Sequence, residues 1–248
     1  MFFIKKNLIY VKVSRFIKKV YYKLTPYLSD TEKELIYVHI GKCGGGTLRK
    51  ALKKSPIIRK KFNKFTDIHI RKPPIKKKAK YIILLRNPLE RSISAFNYQI
   101  KLMKLGSDDY RFKHEHKILN KYKNLDNLAK KIIIKKKLNL KCLNEFNSLH
   151  HIRYNLDYYL NDLLKNIKSE QIFAVFSTEN LDDEIKQKLK IINKSYTRKN
   201  NIKIKSQKKL SKISKTNLRR VLKNEYKMID KLSKLYDFKK STYLELIK

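Results

Sequence analysis

Two loops in this sequence carry residue types that bind phosphate groups, and each loop follows a predicted strand. The first loop is Gly41-Lys42-Cys43-Gly44-Gly45-Gly46-Thr47-Leu48, and the second is Arg86-Asn87-Pro88-Leu89-Glu90-Arg91-Ser92-Ile93-Ser94. Glycines allow a backbone to approach an anion closely and to point consecutive N–H groups at it. Arginine can grip a phosphate with two parallel hydrogen bonds. A ligand with phosphate groups at two separated places would need both loops.

The first loop holds most of the glycine in the chain, because four of the five glycines lie between positions 41 and 46. Leu48 and Leu52 predict a helix that starts near Thr47, whose N-terminus would add a partial positive charge at the same place. Lys42 precedes the glycines, whereas the common nucleotide-triphosphate loop has its lysine after them. The alternative interpretation is a glycine-rich turn that binds no ligand.

The second loop places cationic and hydroxyl side chains around a helix start. Pro88 fits the first turn of a helix, and Arg86 and Arg91 flank that turn. Arg91 and Ser94 are three residues apart and are therefore neighbours on one helical face. The alternative interpretation is a capping arginine on a solvated helix.

Together the two loops resemble the motifs of the sulfotransferase superfamily, in particular its branch of carbohydrate O-sulfotransferases. Those proteins show P-K-C-G-G-T-S-L after one strand and R-[DN]-P-x-x-R-x-x-S-x-[FY] after another, which residues 41–48 and 86–96 match. The segments Glu179-Asn180-Leu181 and Asn193-Lys194-Ser195 resemble later parts of the family more weakly. Gly41 stands where the family usually has proline, and Gly46 where it usually has threonine, which removes one expected hydroxyl contact.

The resemblance implies a P-loop-like fold and the co-substrate 3′-phosphoadenosine 5′-phosphosulfate (PAPS), without a metal. It implies that the 5′-phosphosulfate is held by Lys42, Cys43, Gly44, Gly45, Gly46, Thr47 and Leu48. It further implies that Arg86 and Ser94 hold the 3′-phosphate. The acceptor would be a hydroxyl of a glycan or of another molecule.

The pattern of apolar runs predicts an α/β fold. Predicted strands cover residues 35–40, 66–70, 80–85 and 171–176, and helical stretches separate them. Strands alternating with helices imply a parallel sheet covered on both faces. Residues 113–165 are predicted as a helix-rich insertion, and apolar positions between 210 and 236 predict one long C-terminal helix. Residues 31–248 are predicted to form a single sulfotransferase-like domain.

Residues 1–30 form a separate basic segment. Residues 2–24 alternate apolar and basic side chains, so they predict an amphipathic helix that rests on an anionic membrane or packs on the domain. Lysines interrupt the apolar runs before they reach the ~20 residues of a membrane span. Eukaryotic Golgi members of the family carry a membrane anchor, so its absence predicts a bacterial-type cytoplasmic enzyme, peripheral at the inner membrane face if the segment binds lipid.

The formal charge of +41 on 248 residues attracts polyanions without specificity. The lysines are spread over the whole chain, which favours a compositional origin over a specific nucleic-acid site. Two cysteines do not make a disulfide scaffold, and no metal-ligand spacing is present. Cys43 lies beside Lys42, where its pKa could be lowered, but the resemblance implies a small loop residue there and not a nucleophile.

Sulfuryl transfer needs a positive group at the departing oxygen and a base for the acceptor proton. Lys42 suits the first role, and His69 at the end of the second predicted strand suits the second. Arg71 and Lys72 follow and would favour an acidic acceptor. The cluster His114-Glu115-His116 is an alternative source of the base. Two other functions stay open: a nucleotide-dependent kinase on the same fold, and a non-enzymatic protein that binds polyanions or nucleic acid.

Overall fold

A computed structural model describes residues 33–104, 113–191 and 209–248. The predicted N-terminal helix within residues 1–30 and the weakly matching segment 193–195 lie outside these residues. In chain order the strands are β1 Glu34–Val38, β2 Lys64–Ile68, β3 Lys80–Leu85, β4 Ile133–Ile134, β5 Lys137–Leu138 and β6 Ile172–Ser177.

The helices follow the strands in the alternation that the sequence predicts. They are α1 Gly45–Lys54, α2 Pro56–Lys61, α3 Pro88–Lys104, α4 Lys113–Tyr122, α5 Leu125–Ile132, α6 Leu140–Ser148, α7 His150–Arg153, α8 Leu156–Asn166, α9 Leu181–Leu189, α10 Lys212–Val221, α11 Lys223–Leu235 and α12 Lys240–Ile247. None of these helices is both long and apolar enough to cross a membrane.

Four parallel strands form the main sheet in the order β2-β1-β3-β6, so the predicted α/β class is confirmed. Every residue of β1 is buried, as are five of the six in β3, because helices cover both faces of the central strands. The chain runs from β1 to β2 on one side and then returns to β3 on the other. Ligands of open parallel sheets bind where the strand order reverses in this way. The loops that follow β1 and β3 are the two loops of the sequence analysis.

Two hydrophobic clusters lie under the helices. The first joins the sheet to α1, α8, α9 and α11, and includes Leu48, Leu160 and Ile229. The second joins α3 to the insertion α4–α7 and to α10, and includes Phe96 and Leu128. Helix α3 therefore connects the end of β3 to the insertion.

The predicted single C-terminal helix is wrong, because α10, α11 and α12 are separate. Leu218 and Leu222 bury against the second cluster, whereas Ile229 and Leu232 bury against the first. The helix is interrupted at Leu222, where the chain passes from one cluster to the other.

The insertion is not wholly helical, because β4 and β5 form a short antiparallel hairpin. Its two-residue turn is Lys135-Lys136, and both residues have positive φ, 48° and 65°. Such a turn matches the twist of the flanking strands but is usually made by asparagine and glycine.

Candidate functional site

The glycine loop connects the buried end of β1 to the N-terminus of α1. Gly44 takes φ 80° and precedes the helix, where no side chain caps the first turn and no acidic residue is present. The amide N–H groups of Gly45 and Gly46 have no earlier helical turn to bond to. A Cβ on Gly45 would lie 1.8 Å from Cδ2 of His39, so only glycine fits there. The loop can offer backbone donors to an anion.

Two predicted members of this loop can contact a ligand through the backbone only. The side chains of Cys43 and Leu48 are fully buried. Burial raises the pKa of the Cys43 thiol to about 12, so the lowered pKa suggested by its basic neighbour is wrong. Thr178, in the segment that follows β6, fixes this part of the loop, since its Oγ1 lies 2.7 Å from Cys43 O and 2.9 Å from Leu85 O.

The structure brings the two predicted loops into contact. The guanidinium of Arg86, directly after β3, donates a 3.1 Å hydrogen bond to the carbonyl oxygen of Lys42. The Arg86 side chain remains 24% exposed, and its NH2 lies 4.0 Å from the exposed carboxylate of Glu90. Ser94 is half-buried on α3, two turns into that helix. The guanidinium of the second loop therefore lies beside the first loop.

Arg91 does not share this role, because its fork already holds a carboxylate. Its Nε and NH2 donate to the two carboxylate oxygens of Glu225 at 3.0 and 2.9 Å, and its NH1 donates to the carbonyl of His151 at 2.6 Å. The Arg91 side chain is fully buried. The suggestion from the sequence that Arg91 binds a phosphate is therefore wrong. Arg91 instead links α3 to the insertion and to α11.

Lys42 extends from the loop across an aromatic ring. Its Nζ lies 3.8 Å from the ring centroid of Tyr98 on α3. Burial, together with the positive charges of Arg86 and Lys101, lowers the pKa of Lys42 to about 8. A desolvated cation at this position can interact strongly with developing negative charge.

His69 follows β2 and lies on the rim of the same sheet edge. Its Nδ1 is 3.0 Å from the carbonyl oxygen of His39, which can only accept, so Nδ1 carries the proton. Its Nε2 is then left as a proton acceptor. The His69 ring also stacks on the His39 ring, with centroids 4.3 Å apart. Although the side chain is exposed, desolvation of the packed ring lowers the pKa of His69, and the hydrogen bond to His39 opposes that shift.

The predicted place of His69 within the strand 66–70 is wrong in detail. Strand β2 ends at Ile68, so His69 already belongs to the loop. Ile70 has φ 64° and donates its N–H to the hydroxyl of Tyr159. The chain therefore turns at His69, and this turn exposes the imidazole.

Three further residues at this edge were missed by sequence reasoning. The His151 ring lies 6.5 Å from the His69 ring and 5.3 Å from the Tyr98 ring, so it links the predicted base to the lysine. The Oδ1 atom of Asp67 lies 3.6 Å from Nδ1 of His39, and its Oδ2 accepts a 3.0 Å hydrogen bond from Arg49. His39 lies in the predicted strand 35–40, two residues before the first motif, and that proximity was its only signal. His151 arrives from the insertion, and no local pattern indicated it.

The alternative base cluster has a structural role at Glu115. This residue is fully buried, and its carboxylate accepts a 2.7 Å hydrogen bond from the backbone N–H of His150, the first residue of α7. Burial raises the pKa of Glu115 to about 7. His114 beside it is exposed. Glu115 therefore positions the short helix that carries His151.

We expect Glu115→Gln to remove a pH-dependent part of the stability. The folded protein binds a proton on Glu115 more tightly than the unfolded chain, so stability falls as pH rises from about 4.5 to about 7. Glutamine keeps the hydrogen-bond acceptor without the charge. Relative to the wild type, Glu115→Gln should therefore gain up to about 3 kcal/mol of unfolding free energy between pH 5 and pH 8. Urea unfolding at both pH values measures this. The exposed Glu170→Gln is the matched control, and an unchanged pH dependence in Glu115→Gln would contradict the argument.

Comparison of the chain with protein-family models, with curated proteins and with solved structures gives no match.

Proposed function

We propose that this chain has a P-loop-like fold and transfers a sulfuryl group from PAPS to a hydroxyl of an acceptor, most simply a glycan. One observation carries the proposal: the glycine loop and the arginine loop follow adjacent parallel strands and are joined by the hydrogen bond from Arg86 to Lys42. Two sets of phosphate-binding groups at the edge where such sheets bind nucleotides support a ligand with phosphates at two places.

The residues fit the two charged ends of the nucleotide. The uncapped N-terminus of α1, without an acidic residue, and the Lys42 ammonium suit the 5′-phosphosulfate. Arg86 and Ser94 suit the 3′-phosphate. Thr47, half-buried in the first turn of α1, supplies a hydroxyl near the former, where Gly46 cannot.

In the proposed reaction, the acceptor oxygen attacks sulfur and forms a new S–O bond. The S–O bond to the nucleotide phosphate breaks, and its electron pair stays on the departing phosphate oxygen. Lys42 stabilises that negative charge. His69 takes the acceptor proton on Nε2. The products are the sulfated acceptor and adenosine 3′,5′-bisphosphate.

The charge of the protein is compatible with an acidic acceptor. Arg71 and Lys72 follow His69, and the Lys72 side chain is 55% exposed although its Nζ pairs with Asp162 at 2.5 Å. An anionic membrane surface is a second partner of the same charge type, through the basic N-terminal segment. Nucleic acid is not proposed as a specific partner.

Adenosine 3′,5′-bisphosphate should raise the melting temperature at fixed salt, and AMP should raise it much less. The reason is that only the bisphosphate reaches both loops. At ~100 times its dissociation constant, the ligand should contribute roughly 2.7 kcal/mol. Differential scanning fluorimetry measures the shift.

The same assay separates the competing functions. Equal stabilisation by AMP would remove the role of Arg86 and Ser94. Selective stabilisation by ATP with magnesium would favour a kinase. A random oligonucleotide that stabilises best at the same ionic strength would favour a polyanion-binding protein.

A further inference from the structure

Lys42 has an unusual backbone and a defined resting place. Its φ of 71° lies in the left-handed region, which L residues rarely adopt. That backbone directs the side chain to Tyr98, where Nζ lies 3.8 Å from the ring centroid. A cation over an aromatic face is attracted by the ring quadrupole, more strongly where water is excluded. The ring of Tyr98 is therefore a platform for the ammonium.

The platform is supported from its edge by His151. The two rings are 5.3 Å apart and inclined by 60°, an edge-to-face contact. Burial lowers the pKa of His151 to about 2, so its ring is neutral at physiological pH and does not repel Lys42 as a second cation. The space for this ring exists because residue 41 is glycine: a Cβ on Gly41 would lie 2.8 Å from Nδ1 of His151.

The backbone of His151 is fixed by the arginine that the nucleotide site does not use. Arg91 donates to the His151 carbonyl at 2.6 Å while its other nitrogens hold Glu225. Glu225 also accepts from the backbone N–H of Leu156, at the start of α8. A buried charge held on three sides is costly to displace. Arg91 therefore gives α7 a fixed place relative to α3, which carries Tyr98.

We infer that Tyr98 and His151 are positioning residues that fix the Lys42 ammonium at the junction of the two loops, and that Arg91 holds His151 in place for this purpose. This arrangement accounts for two features of the sequence. Gly41 leaves room for the His151 ring, and Arg91 belongs to the second motif although it meets no ligand. Only the role of Lys42 in sulfuryl transfer rests on the proposed function.

The test is the pH dependence of Lys42 acetylation, which needs neither nucleotide nor acceptor. Brief labelling with acetic anhydride across pH 6–11, followed by mass spectrometry of the Lys42 peptide, gives the midpoint of its reactivity, expected at about 8. In Tyr98→Leu the ammonium loses its platform and moves into water. We then expect the midpoint to rise by one pH unit or more towards the ordinary lysine value of ~10.4.

Matched variants separate positioning from loss of structure. Tyr98→Phe keeps the ring, so its labelling midpoint should stay at about 8. The variant His114→Ala, at an exposed residue, should likewise leave the midpoint at about 8. His151→Ala should raise the midpoint. Gly41→Ala should raise it in the otherwise wild-type protein but should add nothing in a protein that already carries His151→Ala. Urea unfolding of each variant shows whether the fold is kept.

An unchanged or lowered midpoint in both Tyr98→Leu and His151→Ala overturns the inference, as does a rise in Tyr98→Phe equal to that in Tyr98→Leu. If the protein does not bind adenosine 3′,5′-bisphosphate, the proposed function is wrong. The acetylation midpoints would still test the positioning of Lys42 independently. If both hold, turnover in Tyr98→Leu should fall about tenfold, less than on loss of Lys42 itself, with nucleotide KM nearly unchanged.

Discussion

Lys42→Ala should lower the turnover of sulfuryl transfer by about 10² or more, the scale for removing one preorganised donor to a developing oxyanion. The ammonium is half-buried and is not paired with a carboxylate in the described contacts, so its charge is available to the departing oxygen. Steady-state kinetics with a fixed acceptor measure the loss. Near-normal turnover in Lys42→Ala would make the glycine loop a structural turn.

The pH dependence of the rate provides a second test of the role of Lys42. Lys42 must be charged to act, so the rate should fall as pH rises through about 8, where the lysine loses its proton. Lys42→Arg keeps a positive charge at every accessible pH and should abolish that alkaline limb, whatever its effect on the maximal rate. An alkaline limb that persists in Lys42→Arg belongs to another group.

Arg86→Ala is the matched comparison in the second loop. It should mainly weaken nucleotide binding, because Arg86 is assigned to the 3′-phosphate, away from the bond that breaks. Its hydrogen bond to the Lys42 carbonyl adds a smaller effect on turnover through the loop. A loss in turnover as large as that of Lys42→Ala, with unchanged affinity, would reverse the two assignments.

The sheet was predictable because its central strands are buried on both faces and appear as unbroken apolar runs. Strand β3 begins and ends where the sequence indicated, at Lys80 and Leu85. The edge strand β2 was placed two residues too late, since it begins with Lys64 and is only partly buried. Its pattern is weak because a single neighbour, β1, pairs with it.

The placement of the candidate site residues was predictable only where their contacts are local. The glycine loop and Arg86 can be recognised from residue type and spacing. Arg91 has the same type and spacing, yet its partner Glu225 lies 134 residues away and cannot be read from the motif. His151 likewise depends on how the insertion packs against α3.

His69→Ala should abolish sulfate transfer and leave the affinity for adenosine 3′,5′-bisphosphate within a few-fold. The His39 carbonyl fixes the proton on Nδ1, so Nε2 is the basic atom, and its exposed position lets an acceptor hydroxyl reach it. The pKa of His69 is lowered, and only the neutral ring can accept a proton. The rate should therefore fall as pH drops through a value below the ~6.5 of an unperturbed histidine.

Chemical rescue and alternative variants decide whether His69 is the base. Because the side chain is exposed, added imidazole can occupy the space left in His69→Ala and should restore part of the activity and its acid limb. His151 is a poor alternative, since burial keeps the pKa of its ring at about 2. If His69→Ala stays active while Glu115→Gln or His116→Ala is inactive, the proton is taken by the insertion, and the stacked pair His39–His69 serves only to shape the end of β2.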